Sequence, residues 1–390
     1  MMPERPRIPV MVLTGFLGAG KTTLLNALIG RPELADTAVV INELGEIALD
    51  HLLVRKVDDR VMVLGGGCVC CTVLGDLVET LTDLDRRRDA GEVPPFARVI
   101  VETTGLADPG PVLATLTGDD RLFARFELDG VVTVVDATHG AGQLDDHVEA
   151  LQQAVAADHF VVTKSELAGD ERTRALVEKL SAINPAATVD VASHGAVDPA
   201  RLRGRLAADL STARVRGLIA ASPEAKGRWV VSAAPRHSKV RVLAVTRART
   251  MRWTAFSMWL SLLTQFHGEK MLRCKAMLKV AGERGPVIVH AVQHVVYPSV
   301  ILDEWPDADE GCRAVLIFRD VDDGFLKQVQ DGFDACLAPE SSPSLDGRGR
   351  CDRAGRSWVS RCSVCLSSRS TRRATACRSS AWSRWCLGYG

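Results

Sequence analysis

The sequence has no excess of either charge and no long apolar run. Its 390 residues include 48 lysines and arginines and 48 aspartates and glutamates. A general nucleic-acid-binding protein carries a basic excess, so zero net charge argues against that class. No run approaches the roughly 20 apolar residues that span a bilayer, which argues against a membrane-spanning protein.

The amino terminus also lacks the apolar core of a secretory signal, because the first apolar run begins at Val10. We therefore expect the protein in the cytoplasm, where thiols stay reduced. A reducing compartment favours metal binding over disulfide formation for clustered cysteines such as Cys68, Cys70 and Cys71.

A complete phosphate-binding loop follows that first apolar run. Residues 15–22 read Gly-Phe-Leu-Gly-Ala-Gly-Lys-Thr and precede a helical apolar pattern. In this strand–loop–helix context, backbone N–H groups and the helix N-terminus bind phosphate. We expect Lys21 to contact the β- and γ-phosphates and Thr22 to offer its hydroxyl to Mg²⁺. The predicted nucleotide-binding residues of the loop are Gly15, Gly18, Ala19, Gly20, Lys21, Thr22 and Thr23.

Two later motifs complete the predicted nucleotide site. Glu102 and Gly105 follow the apolar run 99–101, where phosphate-loop enzymes place a carboxylate near Mg²⁺ and a glycine near the γ-phosphate. Thr163, Lys164 and Glu166 follow the run 160–162 in the pattern with which GTPases hold guanine, with Glu in place of the usual Asp. An ordinary strand-to-helix turn is the alternative for this second motif. The predicted catalytic residues are Lys21 and Glu102.

Three cysteines indicate a metal site. Cys68, Cys70 and Cys71 lie between the apolar run 61–64 and a helical pattern that starts near residue 74. A helix N-terminus lowers the pKa of a thiol, and thiolates are soft ligands for Zn²⁺ or Cu(I). Three ligands leave a tetrahedral site open, while a redox pair and packed thiols remain alternatives. Candidates for the fourth ligand, on a loop that can respond to the γ-phosphate, are Glu43, Glu46 and His51.

The order of apolar runs predicts two domains. In residues 1–215, short apolar runs alternate with helical faces, which predicts an α/β domain with a mostly parallel sheet. Residues 216–238 are predicted as a linker, and residues 239–335 as a smaller α+β domain. Runs near 10–13, 38–41, 61–64, 99–101, 131–135, 160–162 and 189–191 are the expected strands of the first domain. Runs near 240–245, 287–296 and 314–318 and an amphipathic stretch at 256–266 belong to the second.

Two features of the second half carry less specific signals. His290 and His294 are predicted to share a strand face, as a second metal site or as packed histidines. Residues 336–390 are rich in Ser, Arg and Cys without apolar periodicity, which predicts a disordered or aberrant tail. A zinc module through Cys362 and Cys365 is the alternative.

Taken together, the motifs in residues 15–25, 42–46, 67–71, 102–109 and 163–166 resemble those of the CobW-like metallochaperone GTPases. This family belongs to the SIMIBI-class P-loop GTPases and is related to the nickel-insertion GTPases of urease and hydrogenase. The second domain resembles theirs at residues 267–273, Lys275 and residues 291–294. The resemblance implies GTP-dependent delivery of zinc, cobalt or a related metal, held by the cysteines of residues 68–71.

The chain departs from the family at a few positions. Leu44, Glu166 and Ala276 stand where Phe, Asp and Gly are usual, and a His-rich tract is missing. The expected cofactors are GTP, Mg²⁺ and Zn²⁺ or Co²⁺, and the expected partner is a client metalloprotein, with a homodimer left open. The rival hypotheses are a zinc sensor or scaffold without productive turnover and an ATP-dependent small-molecule kinase.

Overall fold

The computed structural model describes residues 6–29, 31–42, 61–64, 72–192, 197–202, 229–233, 240–306 and 308–339. The chain divides into two compact units, residues 1–338 and 339–390, and in the second only Pro339 is described. The first unit contains two sheets and the helices that pack on them. No described helix combines the length and the apolar character that crossing a bilayer requires.

The first sheet is built from parallel strands. Its described strands follow the order β3-β2-β4-β1-β5-β6-β7, and each neighbouring pair is parallel. Every apolar run expected in the first domain lies inside one of these strands, so the predicted α/β class is confirmed. The strands are β1 (Ile8–Gly15), β2 (Thr37–Asn42), β3 (Val61–Leu64), β4 (Arg98–Glu102), β5 (Phe126–Asp136), β6 (His159–Thr163) and β7 (Thr188–Val191).

Helices pack on both faces of this sheet. Successive side chains of a strand point to opposite faces, so Val10 and Val12 join one apolar cluster while Met11 and Leu13 join another. The described helices are α1 (Lys21–Ile29), α2 (Thr72–Asp89), α3 (Pro109–Gly118), α4 (Asp120–Phe123), α5 (Gly140–Asp146), α6 (Val148–Ala156), α7 (Ser165–Ala168) and α8 (Asp170–Ile183). Short 3₁₀ turns occupy Pro32–Leu34 and Pro199–Leu202.

Strand order brings the predicted nucleotide motifs together. Strand β1 lies between β4 and β5, and β6 is the next strand beyond β5. The register aligns Leu13 with Glu102 and Asp136 with Thr163. Because the carboxyl ends of parallel strands meet at one edge of a sheet, the loops after β1, β4, β5 and β6 all open on the same side.

The second sheet is antiparallel. Its order is β12-β11-β10-β14-β9-β8, with β13 paired to β11, which confirms the smaller α+β domain. Strand β8 lies inside the stretch predicted as a linker. The elements are β8 (Trp229–Ala233), β9 (Val240–Arg247), α9 (Trp253–His267), β10 (Met271–Leu278), β11 (Val287–Val292), β12 (Val295–Val296), β13 (Val300–Ile301), β14 (Cys312–Arg319) and α10 (Asp323–Ala335).

One apolar cluster joins the two sheets. It contains Val155 of α6 and Leu180 of α8 together with Leu272 of β10 and Ile288 of β11, all buried. Every residue of β10 is buried. The second sheet therefore covers the helical layer next to β5 and β6 rather than forming an independent core.

Charged side chains are buried within the same contact. Asp158, which directly precedes β6, accepts a hydrogen bond from the Arg273 guanidinium, and the Lys275 ammonium lies 3.5 Å from the same carboxylate oxygen. Burial opposes ionisation of Asp158, but Arg273 and Lys275 outweigh it and lower its pKa. Asp158 also accepts from the backbone N–H of Val131 at 3.0 Å. This ion cluster ties β10 to the start of β6.

The first unit ends three residues beyond the predicted boundary at residue 335. Cys336 and Leu337 are buried, and Leu337 forms a β-bridge with Met251. The Ala338 N–H donates to the Thr250 carbonyl at 2.8 Å. These residues pack because their backbone continues past α10 along the segment that precedes α9.

Candidate nucleotide and metal site

The phosphate loop begins with a close backbone contact. Gly15 adopts a φ of +144°, and a Cβ at this position would lie 2.3 Å from the Val134 carbonyl oxygen of β5. Only glycine fits this approach of the loop to the neighbouring strand. The loop then turns through Gly18 and Gly20, both with positive φ, into the first turn of α1. A glycine-rich turn that runs into a helix N-terminus is the arrangement that phosphate-binding loops use.

Lys21 is the buried cation of this loop. Its ammonium donates to the Gly15 carbonyl at 2.8 Å and to the Phe16 carbonyl at 3.4 Å, and the residue is 9% exposed. The Lys21 cation and the N-terminus of α1 both favour an anion at this loop. The contact of Lys21 with phosphate stays a prediction.

Thr22 and Glu102 form the predicted oxygen pair. The Thr22 hydroxyl donates to Glu102 Oε1 at 3.2 Å, across 80 residues of chain. Glu102 is 5% exposed at the carboxyl end of β4, and the Thr103 hydroxyl beside it donates to that of Thr14 at 2.8 Å. A hydroxyl and a carboxylate are the kind of oxygen donors that Mg²⁺ takes in proteins. This donor pair fits the magnesium ion that a phosphate loop uses.

The segment after β4 packs tightly on the phosphate loop. A Cβ on Gly105 would lie 2.8 Å from the backbone of Leu17, so a larger residue would displace one of the two loops. On its other side, the buried Gln153 amide of α6 donates to the carbonyls of Gly105 at 3.2 Å and Ala107 at 3.0 Å. Sequence reasoning did not identify Gln153, because nothing in the local pattern of α6 marks it.

The predicted guanine motif contacts the phosphate loop directly. The Thr163 hydroxyl donates to the Ala19 carbonyl at 2.6 Å, and the Lys164 ammonium donates to the Gly18 carbonyl at 2.7 Å. Glu166 lies exposed in the first turn of α7. The motif is thus more than a solvated strand-to-helix turn, since two of its side chains bind the loop.

Asp136 is a second residue that the sequence reading missed. It ends β5 and accepts from the Lys164 ammonium at 2.7 Å and from the Thr138 N–H at 2.6 Å. Burial disfavours its charge, but the hydrogen bonds from Lys164 and Thr138 outweigh that and lower the pKa of Asp136 to about 2. An acidic residue directly after the apolar run 131–135 was the available signal.

The cysteine motif lies outside the described residues. So do Glu43, Glu46 and His51. The flanking elements are described: β3 ends at Leu64, opposite Asn42 of β2, and α2 begins at Thr72, one residue after Cys71. The motif therefore connects a strand end at the nucleotide edge of the sheet to a helix start.

The described cysteines are poor metal ligands. Burial raises the pKa of Cys274 to about 12 and the pKa values of Cys312 and Cys336 to about 11. They remain protonated at neutral pH, and a thiol ligates metal as its thiolate. Within the described ranges, no group of three or more His, Cys, Asp or Glu side chains is placed to hold a metal ion.

The predicted pairing of two histidines on one strand face is wrong. His290 lies in β11, but β11 ends at Val292, so His294 falls in the turn before β12. His294 Nδ1 lies 2.9 Å from the Thr264 carbonyl, whereas His290 is buried near Tyr297. The chain reverses between them because it pairs β12 back onto β11.

Comparison with known families agrees with this arrangement. The model of the CobW/HypB/UreG nucleotide-binding domain matches residues 9–190. The model of the cobalamin synthesis protein cobW C-terminal domain matches residues 240–337. The two matches correspond to the parallel and the antiparallel sheet.

Three relatives show the extent of the similarity. The zinc chaperone YjiA of Escherichia coli K12 is 31% identical over 313 residues, which are 80% of this chain and 93% of YjiA. The zinc-regulated GTPase metalloprotein activator 1 of Schizosaccharomyces pombe is 32% identical and covers 49% of this chain. The zinc chaperone CobW of a Sinorhizobium species is 34% identical and covers 45% of this chain. The chain spans about half the length of these last two relatives, 47% of the S. pombe protein and 56% of the Sinorhizobium protein.

Solved structures give the same result for the fold. The crystal structure of Zn(II)-bound YjiA GTPase from E. coli superposes with a TM-score of 0.60 at 27% identity, over 84% of this chain and 99% of YjiA. A Zn(II)-bound triple mutant of YjiA GTPase gives a TM-score of 0.63 at 26% identity, over the same shares of the two chains. With these matches along both sheets, the chain belongs to the CobW-like family of P-loop GTPases.

Proposed function

We propose that this chain hydrolyses GTP and acts as a metallochaperone that binds a transition metal at Cys68, Cys70 and Cys71. The metal is cargo, passed on to a client metalloprotein. Zinc is favoured because the relatives named above are zinc chaperones or zinc-regulated, and cobalt is the alternative. A homodimer remains a prediction.

One observation carries the proposal: the nucleotide motifs and the entrance to the cysteine motif share one sheet edge. The loops that follow β1, β4 and β6 bring Lys21, Glu102 and Lys164 into one connected set of contacts. Strand β3, which leads to Cys68, belongs to the same parallel sheet and ends at the same edge. The nucleotide motifs and the start of the cysteine motif therefore lie on the same edge of the sheet.

The residues of the chain divide the work of hydrolysis. The Lys21 ammonium neutralises charge on the β- and γ-phosphates, and the backbone of the phosphate loop orients them. Thr22 and Glu102 would hold Mg²⁺, which when bound neutralises charge developing on the phosphate oxygens. Gly105 lies against the loop where the γ-phosphate would contact it. Glu166 accepts hydrogen bonds from guanine.

Metal release follows from loss of the γ-phosphate. In the GTP state, residues 42–51 are ordered and add Glu43 or Glu46 to the three thiolates, completing a tetrahedral site. After hydrolysis this loop relaxes, the fourth ligand is lost and the metal passes to the client. Such order–disorder switching by the γ-phosphate is a common device in GTPases.

The test is a metal-binding competition against a chromophoric chelator, with GTP and Mg²⁺ or with GDP. We expect one Zn²⁺ to bind per chain, with an affinity about tenfold higher in the GTP state than in the GDP state. A ratio of this size lies within the usual range for coupling between two binding sites. Replacing Cys68, Cys70 and Cys71 together by Ser should abolish binding, while Cys274→Ala should leave it unchanged. Equal affinity in both nucleotide states would end the delivery mechanism, and undiminished binding by the triple variant would end the site assignment.

The rival hypotheses predict other results. A zinc sensor or scaffold would bind GTP and metal without an effect of metal on the rate of hydrolysis. A small-molecule kinase would prefer ATP and would be insensitive to the cysteine substitutions. Measuring hydrolysis of GTP and ATP with and without Zn²⁺ separates the three.

A further inference from the structure

Three elements meet at the Asp108 carboxylate. Asp108 Oδ1 accepts from the Gly110 N–H at 2.9 Å and so caps the start of α3. Asp108 Oδ2 accepts from the Gln152 amide of α6 at 2.9 Å and from the Gln293 amide of the second sheet at 3.2 Å. Because a carboxylate only accepts, both amides must present their NH₂ groups. Asp108 therefore links the segment after β4 to the antiparallel domain.

Gln293 is held in a conformation that needs support. It lies in the turn between β11 and β12 with a φ of +51°, a left-handed conformation that non-glycine residues seldom adopt. Its N–H donates to the Leu272 carbonyl at 3.2 Å, and its Oε1 occupies space that a Cβ on Gly110 would enter at 2.8 Å. Such strain persists where surrounding contacts determine the conformation, and it often marks functional positions.

The segment after β4, which contains Asp108, reaches the nucleotide site at Gly105, three residues before Asp108. Gly105 packs on the backbone of Leu17, and the Gln153 amide holds the carbonyls of Gly105 and Ala107. Gln153 fixes this segment from within the first domain. Gln293, which belongs to the second domain, holds the other end of the segment at Asp108.

We propose that Gln293 is a positioning residue for GTP hydrolysis, acting through Asp108 on residues 103–108. The antiparallel domain thereby helps to hold the loop of residues 103–108 in the position in which Gly105 contacts the γ-phosphate. This inference rests on the placement of the γ-phosphate in the proposed function. It predicts that the second domain controls the rate of hydrolysis without touching the nucleotide.

The experiment uses the full chain and a charge reversal with rescue. Gln293→Glu places two carboxylates in contact and should displace the segment. We expect kcat for GTP to fall about tenfold, since small displacements of positioning groups have effects of this size or larger. The KM for GTP and the affinity for GDP should stay within about twofold, because the phosphate loop itself is untouched. Asp108→Asn combined with Gln293→Glu restores a donor–acceptor pair and should recover most of kcat.

Two further variants separate positioning from folding. Gln293→Gly removes the hydrogen bond but adopts the left-handed backbone without steric cost, so the variant should still fold and yet lose kcat. Tyr297→Phe is the matched control. Tyr297 is buried in the apolar cluster that α3 shares with the second sheet, and its hydroxyl makes no hydrogen bond to any described residue. We therefore expect kcat to stay unchanged in this variant. Thermal unfolding is measured for each variant.

Specific outcomes overturn the inference. A wild-type kcat in Gln293→Gly and Gln293→Glu would refute it, as would a folded double variant without rescue. A parallel loss of GDP affinity in Gln293→Gly would indicate a general structural effect and also refute it. If Lys21→Ala is inactive while the Gln293 variants match the wild type, the positioning role alone fails. If Lys21→Ala hydrolyses GTP normally, the proposed nucleotide site fails and this inference with it.

Discussion

The Asp158 carboxylate binds the Arg273 guanidinium across the contact between the two sheets, and the exposed fractions of the two side chains are 1% and 2%. Removing one partner of a buried ion pair leaves the other charge without compensation. Here Asp158→Ala would leave both Arg273 and Lys275 buried. We expect a loss of about 3–5 kcal/mol in the free energy of unfolding, measured by urea denaturation.

A surface ion pair provides the control for that measurement. Lys327 and Asp331 on α10 are 2.5 Å apart and largely exposed. Exposed pairs contribute little, so Asp331→Ala should change the free energy of unfolding by less than about 1 kcal/mol. Equal effects of the two substitutions would show that the Asp158 cluster is solvated rather than buried.

Lys21→Ala should abolish GTP hydrolysis and leave the fold intact. Lys21 is the cation of the phosphate loop, and removing one preorganised charge-stabilising group typically lowers kcat about 100- to 1,000-fold. Phosphate release measures the rate, and circular dichroism checks the fold. Lys327→Ala, an exposed lysine of the second domain, should hydrolyse GTP at the wild-type rate.

Glu166→Ala should remove the preference for GTP over ATP. Hydrogen bonds from guanine to a carboxylate contribute about 1.5–3 kcal/mol, which corresponds to a preference of roughly 10- to 150-fold. Competition between the two nucleotides measures it. Glu171→Ala, at another exposed glutamate in the first turn of α8, should retain the preference. Equal affinity of the wild type for GTP and ATP would favour the kinase hypothesis.

The pKa of Asp136 predicts how stability depends on pH. Its value falls from 3.8 to about 2 in the folded protein, so the ionised group stabilises the fold above about pH 4. This stabilisation declines as the pH falls from 4 towards 2. The difference in unfolding free energy between wild type and Asp136→Asn should be constant near pH 6 and shrink below pH 4. A difference that is independent of pH would contradict the assigned contact with Lys164.

Truncation after Ala338 should leave GTP and metal binding unchanged, because the first compact unit ends there. Truncation after Ala335 removes Cys336 and Leu337, which are 0% and 3% exposed, and should lower the melting temperature by several degrees. Comparing the two truncated chains with the full chain tests the boundary. Loss of GTP binding in the longer truncation would assign a role to residues 339–390.

Local motifs were predictable and long-range partners were not. The phosphate loop is one continuous segment, so its sequence alone predicted a loop between a strand and a helix, which are β1 and α1. Strand β10 was missed because Arg273 and Lys275 interrupt its apolar pattern. Those cations are buried against Asp158, which is 115 residues away from Arg273 in the chain. Only the folded topology brings these groups together, as it does for Gln153 and Gly105.

The burial of Cys274, Cys312 and Cys336 has a practical consequence for thiol chemistry. A chain ending at Ala338 contains six cysteines: these three and the three of the proposed metal motif. Alkylating reagents attack accessible thiolates. Cys274, Cys312 and Cys336 are protonated and buried, so they should resist modification in the native protein. The number of alkylated thiols then reports directly on Cys68, Cys70 and Cys71. Their protection by added metal can be followed by intact mass spectrometry without a cysteine-free background.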